Sequence, residues 1–216
     1  RQTLGILSIL EARKLRIPLE GLVDRPLAAL APKLKSPAAE VKRKVMEFVA
    51  ARYLNLRVSH GVPSDLVEAV LAAGTTDVVD LRAKLDALVA FRGDASFDPL
   101  AEVFKRAINI TKAYDDPPAV SENLFEHEEE RALHKAASDV AGRVAAAAKD
   151  GRYAEAFREM AALQPLVSAF FEKVLVMAKD PKVRNNRLAL LKGLSAAFSA
   201  VADFSKVGSS GLQKST

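Results

Sequence analysis

A turn near the end of the chain carries side chains that suit contact with an anionic partner. Apolar residues at helical spacing precede and follow the turn at 179–181, which predicts two helices joined at an elbow. Two arginines and two amides come directly after it, namely Arg184, Asn185, Asn186 and Arg187. Guanidinium groups pair with anionic oxygens, and amides both donate and accept hydrogen bonds. The pattern predicts a cationic, amide-rich patch at the elbow of a helical hairpin.

The two arginines of this elbow differ from the amides in the direction that they face. The apolar stripe of the last helix, followed back from Phe198 in steps of three and four residues, ends at Arg187 and Arg184. An unpaired guanidinium on a core-facing stripe is costly, so we expect salt bridges with Asp180 or Glu172. A phosphate contact is the alternative role of both arginines. The side chains left free to face a partner are Lys182, Asn185 and Asn186.

A second set of cations and amides follows a helix start at Pro99. Phe104, Ala107 and Ile110 form the apolar stripe of that helix. The polar side chains that lie largely outside the stripe are Lys105, Arg106, Asn109 and Lys112. Three of them, at spacings of four and three residues, are neighbours on one face. This face is the second candidate for contact with an anionic partner.

Residue patterns typical of catalysis or of metal binding are sparse. The sequence has no glycine-rich phosphate loop and no His-Glu-x-x-His motif. His127, Glu130 and His134 share one helix face, which allows a metal site, but surface residues at an acidic helix start explain them as well. The acidic run at 126–130 fits the first turn of a helix, where the dipole stabilises negative charge. We predict no catalytic residue, no metal and no cofactor here.

Charge is unevenly distributed along the 216 residues, whose formal net charge is +5. Basic stretches at 33–57 and 182–206 flank an acidic segment at 115–130. Segregated cations favour a polyanionic partner, and ordinary solvated helix faces are the alternative. For the basic cluster at 42–44 we favour the solvated face.

Periodicity is helical nearly throughout, with no strand alternation, which predicts an all-α fold. A break near 91–98 divides a helical body segment at 1–93 from a helical bundle at 94–206, and 207–216 is expected to be a disordered tail.

No apolar run is long enough to span a bilayer, and the absence of cysteine fits a reducing compartment, so we expect a cytoplasmic location. The first residues already follow a helical pattern, which indicates a fragment of a longer protein.

Several stretches also carry a family resemblance. The specific ones are FKRAINI at 104–110 and FFEKVLVMAKDPKVRNNRLALLKGLSAAFSAVADFSK at 170–206. The supporting ones are RQTLGILSIL, IPLEGLV, VMEFVAARYLNLRVSHGVPSDLVEAVLA and the run from RAKLDALVAF to DPLAEVFKRAINITK. Together they cover most of 1–206 and resemble the C-terminal region of the β subunit of bacterial two-subunit glycyl-tRNA synthetase.

The resemblance implies a fold and a set of partners. Residues from about 94 onward would form a DALR-type anticodon-binding domain of the kind shared with arginyl-tRNA synthetase, preceded by the helical body. The chain would be a non-catalytic fragment of glycine–tRNA ligase, with the aminoacylation site and its ATP on the α subunit. Its partners would be tRNA(Gly), the α subunit and upstream β domains in an α2β2 assembly, without a membrane.

An RNA partner gives the second cationic face a specific interpretation. Lys105 and Arg106 suit phosphate oxygens, Asn109 suits a base edge, and Tyr114 is a candidate for stacking on an unpaired base. The alternative is that the two cations pair with acids such as Glu102 and that Tyr114 packs on the following proline loop.

Two other functions also stay open. The chain could be a helical protein-interaction scaffold, or the anticodon-binding domain of an arginyl-type synthetase. The resemblance over 1–90 argues against the arginyl type.

Overall fold

The computed structural model describes residues 1–74, 77–114 and 119–208. Within these ranges the chain forms α-helices and short 3-10 turns without any strand, which confirms the all-α prediction. The helices are α1 (Gln2–Ala12), α2 (Leu19–Leu30), α3 (Ala38–Ser59), α4 (Ser64–Ala72), α5 (Val78–Arg92), α6 (Phe97–Thr111), α7 (Glu128–Lys149), α8 (Tyr153–Ala161), α9 (Gln164–Lys173) and α10 (Pro181–Ser199). None of these described helices is both long and apolar enough to cross a membrane.

Local sequence signals set the helix ends. The side chain of Asp77 accepts a hydrogen bond from the amide of Asp80 at 2.7 Å and so caps α5. Asp180 caps α10 in the same way through the amide of Lys182, and Pro181 occupies the first helical position. Gly74 follows the end of α4 with a φ of +97°, a conformation that L side chains rarely adopt.

The second half of the chain is a bundle in which α6 packs against α10. The rings of Phe104 and Phe198 meet edge to face with centroids 4.9 Å apart. The 3-10 turn at Phe204–Lys206 closes the same core, because Phe204 is buried against Phe104 and Phe97. On the other side of α10 lies α7, which also contacts α8 and α9.

One continuous core joins the two halves across the predicted boundary at 93/94. The ring of Phe91 on α5 stacks on that of Phe157 on α8, with centroids 5.4 Å apart. The hydroxyl of Tyr153 on α8 donates to the carboxylate of Asp80 on α5. The division into a body segment and a bundle therefore stays a prediction, since no gap in packing marks it.

The chain remains packed two residues beyond position 206, the predicted end of the bundle. Val207 is buried, and the amide of Gly208 donates to Asp65 at the start of α4, at 2.9 Å. Assigning these two residues to a disordered tail was wrong, because the turn at Phe204 brings them back onto the core. Residues 209–216, the remainder of that predicted tail, lie outside the described residues.

Candidate nucleic-acid interface

A buried ion pair organises the end of the bundle where α10 begins. Nε of Arg187 donates to Oε1 of Glu130 at 2.9 Å, and Nη2 donates to Oε2 of Glu126 at 2.7 Å. Its Nη1 donates to the carbonyl of Leu175 at 3.0 Å. Arg187 is 2% exposed and Glu130 is fully buried. The guanidinium thus ties the second turn of α10 to the start of α7 and to the segment between α9 and α10.

The salt bridge expected for Arg187 is present, but its partners are not Asp180 or Glu172. Asp180 instead caps α10, and Glu172 is exposed on α9. The acidic run at 126–130 supplies the partners, because α7 packs against α10. A role for Arg187 in direct RNA contact does not fit this burial.

Glu130 remains ionised in this interior. Burial alone would raise the pKa of its carboxyl group, but the hydrogen bond from Arg187 and those from two backbone amides outweigh it. The amides of Glu126 and His127 each donate to Oε2 of Glu130 at 2.9 Å. The net result is a pKa below the usual value for glutamate.

These contacts also bear on the metal hypothesis for His127, Glu130 and His134. The carboxylate of Glu130 is occupied by Arg187 and by the amides. The ring of His134 lies against Phe125 instead, with centroids 5.5 Å apart. Over the described part of the chain, no three ligand-type side chains converge on one point. The carboxylate of Glu130 thus serves the ion pair with Arg187.

Asn186 is buried and belongs to the structure of the bundle. Its Oδ1 accepts a hydrogen bond from the amide of Ser121 at 2.7 Å, and its Nδ2 donates to the carbonyl of Ser121 at 3.0 Å. The side chain is only 2% exposed. The prediction that Asn186 faces a partner is therefore wrong, because its position on α10 turns the amide toward the connection between α6 and α7.

The other residues of the elbow remain nearer to solvent. Lys182 is exposed, while Asn185 and Arg184 are half-buried. The salt bridge expected for Arg184 is not formed with any described residue, and its buried Nε has no hydrogen-bond partner there. Lys182 and Asn185 thus keep the accessibility that a direct contact needs.

The exposed face of α6 holds the four predicted polar residues together. Lys105, Arg106, Asn109 and Lys112 are all exposed. None of the three cations forms a salt bridge within the described ranges, so the expected alternative of pairing with Glu102 does not occur. Unpaired exposed cations are available to phosphate groups.

Arg106 has a partner that the sequence did not indicate. Its guanidinium carbon lies 4.2 Å from the centroid of the Phe171 ring on α9. A groove of about 320 Å³ runs between α6 and α9 beside this stack, with Glu102 and Glu172 among its lining residues. Arg106 is nevertheless exposed, so its guanidinium can also meet a flat group of a partner.

Tyr114 and the cluster at 42–44 complete the predicted positions. Tyr114 is half-buried against the core, and the proline loop that follows it at 115–118 lies outside the described residues. In the cluster, Lys42 pairs with Glu20 and Asp24 of α2, at 2.9 and 3.0 Å. Its two neighbours pair with acids one turn away on α3. This pairing fits the favoured solvated helix face.

Comparisons with known proteins show which sequences this chain resembles. Residues 100–203 match the DALR anticodon binding domain family. The chain is 45% identical over 207 residues to the glycine–tRNA ligase beta subunit of Citrifermentans bemidjiense. Identity to the beta subunits of Geobacter metallireducens and Syntrophotalea carbinolica is 44% and 41% over the same length.

In each of these comparisons the match covers 96% of this chain and 30% of the relative. The chain thus spans less than a third of the length of these relatives. Residues 100–203 thus match the model of the DALR anticodon binding domain family, and the chain as a whole is similar to the C-terminal part of the glycine–tRNA ligase beta subunit.

Proposed function

We propose that this chain binds tRNA(Gly) and recognises its anticodon, as part of a glycine–tRNA ligase β subunit. One observation carries the proposal. The segment that matches an anticodon binding domain includes the α6 face, on which three cations are exposed and form no salt bridge with the described residues. In the rest of the enzyme, the α subunit would bind ATP and carry out aminoacylation in the cytoplasm, and upstream β domains would complete the assembly.

Phosphate neutralisation would supply most of the affinity. Lys105 and Arg106 project from α6, Lys112 directly follows its last residue, and Lys182 projects from the start of α10. Each phosphate contact releases bound counterions, so the affinity for RNA falls steeply as salt rises. These contacts position the RNA without reading its sequence.

Anticodon reading needs side chains that can meet base edges or faces. Asn109 lies one turn from Lys105 on α6, and its amide can both donate to and accept from a base edge. The guanidinium of Arg106, which lies over the Phe171 ring, is a flat group on which an unpaired base can stack. We assign the reading of base edges to Asn109, with Asn185 as the next candidate, whereas stacking on Arg106 would hold a base without selecting it.

The proposal is tested by an electrophoretic shift titration of the 216-residue chain against tRNA(Gly). A second tRNA(Gly) with an altered anticodon measures specificity. We expect Lys105→Ala combined with Arg106→Ala to weaken binding of both RNAs and to reduce the slope of log affinity against log salt by about 2. Arg43→Ala combined with Lys44→Ala is the matched control, because these cations already have carboxylate partners.

Two results would overturn the proposal. If the parent chain binds neither RNA at low salt, it is not a tRNA-binding protein. If it binds both RNAs equally, and an acidic protein competes at similar concentration, the protein-interaction scaffold becomes the better explanation. If the double variant binds RNA as tightly as the parent, the RNA-binding site does not include Lys105 and Arg106 of α6.

A further inference from the structure

The segment that joins α9 to α10, residues 174–180, displays two large apolar side chains to solvent. Leu175 is 70% exposed and Met177 is 52% exposed, whereas Val174 and Val176 are buried at 4% and 7%. Leu175 is the most exposed large apolar side chain in the described part of the molecule. Buried and exposed side chains thus alternate from 174 to 177, starting at Val174, whose backbone is extended with φ −110° and ψ 119°.

This exposure is built into the fold and is not the fraying of a chain end. The amide of Val174 donates to the carbonyl of Phe170 at 2.9 Å, which fixes the start of the segment. The carbonyl of Leu175 accepts from the buried Arg187 at 3.0 Å. The two buried valines anchor the segment on the core. The protein therefore holds Leu175 and Met177 in place without covering them.

The surroundings indicate what kind of partner fits. Lys173 comes just before the segment and Lys179 follows Met177 within it, and both are exposed; Lys182 follows on the first turn of α10. The carboxylate of Asp180 is used as the helix cap. The Arg106–Phe171 stack lies at the end of α9, four residues before Leu175 in the chain. Glu172 at the end of α9 is also exposed, but lysines outnumber it along 172–182. Apolar side chains among lysines match a polyanion with exposed flat apolar groups, which is the chemistry of unpaired RNA.

We propose that Leu175 and Met177 pack against unpaired bases of the bound RNA, while the flanking lysines hold its phosphates. Bases released from helical stacking are stabilised by stacking on side chains of the protein, aromatic ones above all, and such contacts tolerate any base. Leu and Met also serve as apolar wedges between bases in nucleic-acid complexes. The inference rests on the proposed tRNA-binding function and adds a non-electrostatic contact to it.

The test compares two double variants of the 216-residue chain. The first is Leu175→Ala with Met177→Ala. The matched control is Ile6→Ala with Ile9→Ala on α1, whose side chains are similarly exposed at 52% and 61%. Each protein is titrated with a hairpin RNA that carries the anticodon stem and loop of tRNA(Gly), and with a fully paired RNA duplex of the same length.

We expect the first variant to bind the hairpin about five- to tenfold more weakly than the parent, at the low end of the range for base stacking. Its binding to the duplex stays unchanged, because a duplex offers no splayed bases. The slope of log affinity against log salt also stays unchanged, because no charge is removed. The control variant binds both RNAs like the parent. Thermal unfolding checks that both variants keep the parental fold.

Other outcomes overturn the inference in recognisable ways. If the parent binds the hairpin and the first variant binds it equally well, the two side chains do not contact RNA, and the proposed function stands. If hairpin and duplex binding fall together, the contact is not with unpaired bases. If the first variant differs from the parent only in self-association measured by sedimentation, Leu175 and Met177 contact another protein chain and not RNA. If the parent binds no RNA, the proposed function itself has failed.

Discussion

Arg187 on α10 and Arg106 on α6 both contact the end of α9 or the segment just after it, yet their surroundings differ. Arg187 is buried between two carboxylates and a backbone carbonyl. Arg106 is exposed, lies over a phenylalanine ring and pairs with no described carboxylate. The first arginine is satisfied within the fold, and the second keeps its hydrogen-bonding capacity for a partner.

The comparison shows that a cluster of cations in a sequence does not by itself define a binding surface. A cation is available to a partner only if no carboxylate of the protein forms a salt bridge with it. That carboxylate can come from a distant part of the chain. Glu130 lies 57 residues before Arg187. The cations of α6 remain the proposed RNA contacts because none of them forms a salt bridge with a described carboxylate.

The largest effect is expected from removing the buried cation. Arg187→Met leaves Glu130 charged and without its partner in the interior. Breaking a buried ion pair in this way typically costs about 3–5 kcal/mol, so the free energy of unfolding should fall by that amount in urea titrations. Arg106→Met is the matched control and should change it by less than about 1 kcal/mol.

A second substitution sharpens this result. Adding Glu130→Gln to Arg187→Met removes the stranded charge, and stability should recover in part. If Arg187→Met is no more destabilising than Arg106→Met, the distinction between an interior and a surface arginine is wrong.

An intermediate effect is expected from pH. The folded protein holds the pKa of Glu130 below the ordinary value of 4.5, so the carboxylate adds stability above that pH. This contribution is lost as the pH falls below 4.5 through the folded pKa, because the unfolded state then binds the proton first. We expect the difference in unfolding free energy between the parent and Glu130→Gln, measured from neutral to acidic pH, to become smaller below pH 4.5. A gap independent of pH would contradict the ionised pair.

The smallest effect is expected on α3. Lys44 pairs with Glu40 one turn earlier at 2.7 Å, and both side chains are exposed. Lys44→Ala should change the unfolding free energy by less than about 0.5 kcal/mol and should leave tRNA(Gly) affinity unchanged. Lys105→Ala serves as the comparison, since it should weaken RNA binding with equally little effect on stability. Equal losses of RNA affinity in the two variants would show that pairing does not separate the two surfaces.

The sequence predicted much of the fold because helix formation follows local rules. Apolar spacing gave the stripes of α6 and α10, and the Asp-Pro pair marked the start of α10. The same stripe argument placed Arg187 on the inward face, where it lies. The exposed positions of Lys105, Arg106, Asn109 and Lys112 follow from the same periodicity.

The candidate site was harder to predict because its contacts join distant segments. The inward turn of Asn186 and its bonds to Ser121 depend on where the connection between α6 and α7 passes. The contact of Arg106 with Phe171 depends on the packing of α9 against α6. No periodic pattern in either segment encodes these distances.

Taken alone, the order of residues determined which stretches are helical, which face of each helix is apolar and which family the chain resembles. Only the tertiary structure decided which carboxylates meet Arg187, which amide is buried and which apolar side chains stay in solvent at 175 and 177. The physical reason is the sequence separation between the residues that interact. A helical repeat is set by neighbours within one turn, whereas charge pairing and exposure depend on elements that packing brings together from more than fifty residues away.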